Sequence, residues 1–384
     1  VTTPPRKAYS PARTLLALII LSAALFPEAP ASEAPASTTE SLPQPRNRAE
    51  ATDIVRGLRR IVTPNGVERA QAVRIGGIDQ WVTIRGDDRR NPVLLVIHGG
   101  PGYVEMPLNW WYARGWEEYF TVVEWDQRGA GKTYLMNDAE AVAPSMTRER
   151  FIQDAEEMVN WLRKDLGKQK IFVWGHSWGS YLGLELARRH PQWLYAYIAT
   201  GQVTNAPESE RRAWTFALRA AQAAHNEQAA AELQSIAPYA APGKEIVLED
   251  VIVNHKWSDF YGGVMAYRTS QEEESHATRL SPDYSDAEAA HVFDGNDYSE
   301  RFLLAALMNM DLSGERVLHC PLILLEGRHD RTTNADVAYG WFQHVKAPRK
   351  RFVWFEHSAH EPESEEPGKF LMALVQYARP LAGD

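Results

Sequence analysis

Ser177 stands between two glycines in GHSWGS, directly after the run KIFVW and directly before YLGLELARR. Taken alone, the pattern Gly-x-Ser-x-Gly is a weak signal, expected by chance on the order of 0.1 times in a chain this long, so its position has to supply the meaning. Where a buried strand turns sharply into a helix, flanking glycines remove the Cβ atoms that would obstruct the reversal, and the serine hydroxyl is left standing above the sheet. The helix that starts at Trp178 then points its free amide groups and positive end at any anion formed there. A serine that only caps a helix would account for Ser177 but not for both glycines.

A hydroxyl is too weak an acid to act as a nucleophile unaided, and needs a base whose tautomer is held by a third group. Two histidines compete for that place in FEHSAH: His357, close to the run RFVWF, and His360, in the loop beyond it. His360 is preferred, because a loop residue can reach back over strand ends. Asp330, which follows the apolar run and the glycine of PLILLEGRHD, is the expected acid, against the alternative of a cap for the helix beginning near Asn334. Asp126 in WDQRG also ends a strand-like run, but it precedes the nucleophile and is read as a residue that steadies its loop. Two donors are needed for an oxyanion. The amide of Trp178 is one, and Gly100 in the loop His98 to Gly102 (HGGPG) is the other.

The elements that must position these groups alternate in type. AQAVRI and DQWVTIRG flank a glycine pair as a hairpin, and PVLLVIHGG, YFTVVEWDQRG, KIFVWGHS, LYAYIATG, PLILLEG and KRFVWFEH are short apolar runs of the kind buried on both faces of a sheet. Helical patterns such as FIQDAEEMVNWLRKDLG and WGSYLGLELARRHP lie between them, which predicts an α/β fold with a mostly parallel sheet. Residues 203–311 break the alternation with helical blocks only and read as a helical cap insertion; the core is expected over 61–202 and 312–384. That insertion holds 18 acidic against 8 basic residues, while the whole chain of 384 residues has a formal charge of −9.

This charge argues against nucleic acid or an anionic membrane surface as the main partner. Thirteen tryptophans are read mainly as core, with a few candidates for a pocket. At the N-terminus, Arg6, Lys7 and Arg13 precede the apolar stretch Thr14 to Phe26, and Ala29-Pro30-Ala31 follows. This is the pattern of a signal peptide cleaved after Ala31, and a stretch of 13 residues falls short of the roughly 20 that span a bilayer. Residues 32–60, rich in Ala, Pro, Ser, Thr and Glu, read as a flexible linker. Cys320 is the lone cysteine, so no disulfide forms within the chain. A secreted or periplasmic enzyme without stable membrane insertion is expected.

HGGPG, DQRGAGKT, GHSWGS, GRHD and SAHEP, in this order, resemble the proline iminopeptidase family of the α/β-hydrolase superfamily. The resemblance covers about residues 70–202 and 312–380. It implies an eight-stranded sheet carrying Ser177, Asp330 and His360, a helical cap after the sixth strand, and removal of an N-terminal residue, often proline, from peptides without metal or cofactor. His176 is a departure, since members that cleave after proline often have glycine before the serine. Glu208 and Glu210, at the start of the cap, are the candidates for holding the substrate amine. An esterase or other acyl hydrolase is the alternative, because the same three residues cleave esters. An epoxide hydrolase or dehalogenase is disfavoured because the elbow would need Asp in place of Ser177, and a binding protein that had lost catalysis is disfavoured by the intact set.

Overall fold

A computed structural model describes residues 44–383; the expected signal peptide and the first part of the expected linker lie outside the described residues. The hairpin comes first. Strand β1 (Val67–Ile75) pairs antiparallel with β2 (Ile78–Gly86) with Ile75 opposite Ile78. The two-residue connection is Gly76-Gly77, with φ of 57° and 80°, the left-handed pair that lets a tight turn follow the twist of its strands.

The apolar runs then form β3 (Val93–Ile97), β4 (Thr121–Asp126), β5 (Ile171–His176), β6 (Leu194–Thr200), β7 (Leu322–Gly327) and β8 (Lys350–Phe355). The sheet has eight strands in the order β1-β2-β4-β3-β5-β6-β7-β8. β2 runs antiparallel to β4, and all pairings from β4 to β8 are parallel. Every residue of β3, β4, β5 and β7 is buried, because helices cover both faces and alternate side chains go to opposite layers. Leu95, Ile97, Val173 and Leu324 belong to one layer of the core, and Leu94, Val96, Phe172, Trp174 and Leu325 to the other. Each such side chain contributes roughly 1.5–3 kcal/mol of burial. Trp116, Trp125, Trp174 and Trp178 are fully buried core residues.

Between β6 and β7 the chain forms helices only, chiefly Ala206–Ala223, Glu227–Ser235, Leu248–Phe260, Glu272–Arg279 and Asp294–Met308. The excursion leaves and returns at one place. Asn205 and Asp311 form an isolated antiparallel bridge, Ala206 N–H donates to Met310 O at 2.9 Å and Leu312 N–H to Thr204 O at 2.6 Å.

The linker expected over 32–60 is corrected over part of its length. Arg48–Leu58 is a helix, capped by the Asn47 side chain on the amide of Glu50. Composition misled here because this helix is held by polar ties, and Thr52 is its only buried residue. Arg48 donates to the carbonyls of Arg279, Ser281 and Tyr284, and Arg59 to Asn109 and Glu117. Among the described residues no helix is long and apolar enough to cross a membrane.

Candidate active site

The reversal at the end of β5 is as tight as its glycines suggest. Ser177 adopts φ 50° and ψ −115°, a conformation that costs a residue with a Cβ about 1–3 kcal/mol. A Cβ on Gly175 would lie 2.3 Å from Gly179 O, and one on Gly179 would lie 1.9 Å from Ile97 O. Three bonds fix the strained residue: Ser177 N–H donates to Thr200 O at 2.9 Å, and Ser180 donates to Ser177 O through both its amide (2.9 Å) and its hydroxyl (2.6 Å). Helix Trp178–Arg189 begins at the next residue, so the Trp178 amide is among those with no intrahelical acceptor.

Asp330 and His360 meet in the loops after β7 and β8. His360 Nδ1 lies 2.8 Å from Asp330 Oδ2. Asp330 also accepts from the Thr333 amide (3.0 Å) and hydroxyl (2.7 Å). Burial favours the neutral acid, but His360 and the Thr333 donors outweigh it and hold the carboxyl below its ordinary range. Asp330 is therefore an acceptor, His360 Nδ1 carries the proton of that bond, and Nε2 is left to act as a base. The ring is confined. A Cβ on Gly201 would come within 2.6 Å of His360 Cε1, and the His360 amide donates to Val264 O.

Ser177 and His360 open into one cavity of about 240 Å³. Its floor includes Gly99, Gly100 and Tyr103, and its roof Glu210, His255, Leu304 and Met308 from the helical insertion. Gly100 has φ 102°, and a Cβ there would lie 2.5 Å from the amides of Gly102 and Tyr103. The glycine loop is tied to the elbow through Gln127, whose amide donates to His98 Nε2 (3.1 Å), whose Nε2 donates to His98 O (3.0 Å) and whose Oε1 accepts from Trp178 Nε1 (3.1 Å). Burial lowers the His98 imidazole to about 4, so it stays neutral with Nδ1–H on Gly99 O and Nε2 as acceptor. Asp126, in the same turn, accepts from Lys132 N–H and from the Tyr284 hydroxyl of the insertion. Arg128 forms a buried pair with Asp154 at 2.8 Å. The DQRG motif thus steadies loops.

His357 is exposed and only its amide is engaged, by Glu366. His357→Ala should leave kcat/KM within about twofold of the parent for any substrate the protein turns over, as steady-state kinetics will check; a loss like that of His360→Ala would reverse the assignment of the base.

The two glutamates offered for the amine part company. Glu208 is corrected: it does not line this cavity but faces a separate surface cleft, paired with Arg211 and with Arg212 at 2.6 Å. Glu210 is buried and lines the cavity, yet it is already held by His255 Nε2 (2.8 Å), Asn254 Nδ2 (3.0 Å) and the Tyr239 hydroxyl.

Sequence reasoning missed a group of buried acids beside the site: Glu105, Glu274, Glu361 and Glu363. His176 is their resident cation. Its Nδ1 lies 2.8 Å from Glu105 Oε1 and its Nε2 lies 3.1 Å from His360 O. Burial alone would lower this imidazole, but Glu361 and Glu105 outweigh burial and raise it to about 10. Ligand atoms of Glu105, His176, Glu361 and Glu363 lie within 4.8 Å of one another, a spacing that suits a metal ion. The donor set does not fit one, because both His176 nitrogens are donating N–H groups.

The family model described as alpha/beta hydrolase fold matches residues 92–367. The chain belongs to the α/β-hydrolase family. A probable aminopeptidase, YbaC, of Bacillus subtilis is 30% identical over 79% of this α/β hydrolase and 94% of its own length. A proline iminopeptidase of Neisseria gonorrhoeae is 25% identical over 70% of this chain and 84% of its own. Among solved structures, the proline iminopeptidase of Mycobacterium smegmatis superposes with a TM-score of 0.57 at 19% identity, covering 82% of this chain and 100% of that one. This α/β hydrolase is an enzyme, a serine hydrolase similar to proline iminopeptidases.

Proposed function

We propose that the enzyme is an aminopeptidase that releases an N-terminal residue, of the proline type, from short peptides through an acyl-enzyme on Ser177. The observation that carries this reading is the 2.8 Å Asp330–His360 bond beside the Ser177 elbow at one cavity roofed in part by the helical insertion. His360 Nε2 takes the Ser177 proton as Oγ attacks the carbonyl, and the Trp178 and Gly100 amides receive the oxyanion. The imidazolium then protonates the leaving amine, and water, deprotonated by His360, releases the acyl group. Asp330 stays ionised throughout and stabilises the imidazolium.

A cavity of about 240 Å³ suits one residue rather than a long chain. It carries three carboxylates, Glu210, Glu300 and Glu361, which favour a cationic end group. Similarity to the Bacillus aminopeptidase over most of both chains supports the same reading. An ester substrate is the second reading, favoured by the apolar wall of Val203, Leu304, Leu307 and Met308. The helical insertion serves as the cap in either case. Export follows from the N-terminal pattern of residues 6–31, and N-terminal sequencing of the protein recovered from a periplasmic fraction tests it.

The deciding experiment compares prolyl, alanyl and leucyl anilides, their N-acetylated forms and short acyl esters. Free-amine substrates should be turned over with a kcat/KM at least about tenfold above their acetylated forms. Hydrolysis of esters alone would replace the proposal by the second reading.

A further inference from the structure

The carboxylates around the cavity are unequally supplied with partners. Glu210 has a histidine, an amide and a phenol, and Glu300 accepts from Asn296 at 3.3 Å. The carboxyl of Glu361, also buried and also lining the cavity, accepts no bond from a backbone N–H, a side-chain N–H or a Ser, Thr or Tyr hydroxyl among the described residues; the bonds Glu361 does accept, from Ser364 and the Glu365 amide, go to its main-chain oxygen. Its nearest cation is His176 Nε2 at 3.6 Å, but that proton is directed at His360 O. Behind Glu361 lies Glu363, only 1% exposed, both of whose oxygens lack a partner. Glu274, of the same group, has the Tyr103 and Ser364 hydroxyls and the Gln271 amide as partners, and no cation. Since Glu105 already matches the charge of His176, the group is short of positive charge. An unpaired buried charge is costly, so Glu361 and Glu363 sit well above the ordinary carboxylate range, through burial first; His176 works against this at Glu361, and the charges of Glu274 and Glu105 add to it.

From this imbalance we infer that Glu361 is the anchor for the α-ammonium of the substrate, with the neighbouring Glu363 and Glu274 reinforcing its field. The inference rests on the aminopeptidase reading and names its specificity residue. Geometry favours Glu361 over the acids of the insertion. In an aminoacyl group the nitrogen is two bonds, about 2.5 Å, from the carbonyl carbon, and a charge-assisted bond adds about 2.8 Å. The anchoring oxygen must therefore lie roughly 5 Å from the carbon that Ser177 attacks. Glu361 is the chain neighbour of His360 and packs against His176, the chain neighbour of Ser177. An ammonium there would supply the cation that the Glu361 carboxyl lacks and so hold it ionised, whereas at Glu210 it would compete with His255, which Glu210 helps to raise to about 9 against the opposing effect of burial.

The test measures kcat and KM in Glu361→Gln and Glu210→Gln for an aminoacyl anilide and for an acyl ester of the same side chain without the amine. In E361Q, kcat/KM for the anilide should fall about a hundredfold or more, mainly through KM, while the ester changes less than about threefold. E210Q should lose less on the anilide than E361Q. A parallel loss on both substrates in E361Q would overturn the inference in favour of a part in positioning His360. No loss, or a larger selective loss in E210Q, would also overturn it. Should E361Q fold poorly, Glu361→Asp, which keeps the charge but withdraws it by one methylene, must show the same selective fall or the inference fails. A parent enzyme that turns over the ester and no aminoacyl substrate would bring down the aminopeptidase reading itself, and this inference with it.

Discussion

Ser177→Ala is expected to lower turnover by about 10⁶ without lowering Tm. The size follows from what His360 and the oxyanion donors leave behind once the nucleophile is gone, which is water attack on a bound substrate. The unchanged Tm follows from the backbone. Alanine has the same Cβ as serine and suffers the same penalty at φ 50°, and the bonds from Ser177 N–H and to Ser177 O are made by the main chain. Ser177→Gly provides a second reading of that strain, because glycine adopts positive φ at no steric cost; it should be as inactive as S177A but melt at a higher temperature. Residual activity of S177A above about one per cent would show that another nucleophile operates. Calorimetry and single-turnover kinetics on the three proteins suffice.

Asp330→Asn is expected to reduce kcat by about 10⁴, for a reason visible in the partners of each oxygen. Oδ1 accepts the Thr333 amide, and Oδ2 accepts the Thr333 hydroxyl and His360 Nδ1–H. The asparagine NH₂ at the Oδ1 position would face a backbone donor that cannot turn away. Placed at Oδ2 it meets a hydroxyl that can rotate and an imidazole that can change tautomer. The second arrangement wins, and it forces His360 to accept at Nδ1 and carry its proton on Nε2, where it can no longer take one from Ser177. A fall in kcat with little change in KM should result. A rate within tenfold of the parent would mean that Asp330 does not set the tautomer.

Much of this arrangement was legible in the chain because strong local signals and global needs agree. The runs that became β3 to β8 are short, apolar and closed by turn residues, and a glycine on each side of Ser177 has few explanations besides a sharp reversal. The meeting of Asp330 with His360 could be read from order and loop position. Other parts were not legible. Glu208 and Glu210 are two residues apart on one helix, so they point roughly 200° apart, and the phase of the buried face cannot be set without knowing what the helix packs on. The run HEPESEEP looks like a solvated acidic loop, yet Glu361 and Glu363 are buried in it. What buries them comes from elsewhere: Glu105 follows β3, and Glu274 lies on a helix of the insertion. Helix Arg48–Leu58 has a short apolar stripe, Ala51, Ile54, Val55 and Leu58 at helical spacing, which the Ala- and Pro-rich composition around it masks; its arginines, not that stripe, carry the attachment, and Ile54 and Leu58 stay exposed.

The bridge between Asn205 and Asp311 gives the helical insertion a single neck. A segment whose two ends leave and return side by side can be exchanged for another without disturbing strand register, since Thr204 and Leu312 are already hydrogen-bonded neighbours. Evolution can therefore change the roof above the Ser177 elbow without re-pairing the strands that carry nucleophile, acid and base, and the ties that cross from roof to floor, such as the His360 amide on Val264 O, are what a new roof has to restore. The same neck makes the molecule a natural host for grafting: a roof taken from a related hydrolase and spliced at these two residues would inherit the sheet and its elbow, and would have to supply again the partners of His360 and Asp126 that Val264 and Tyr284 now provide.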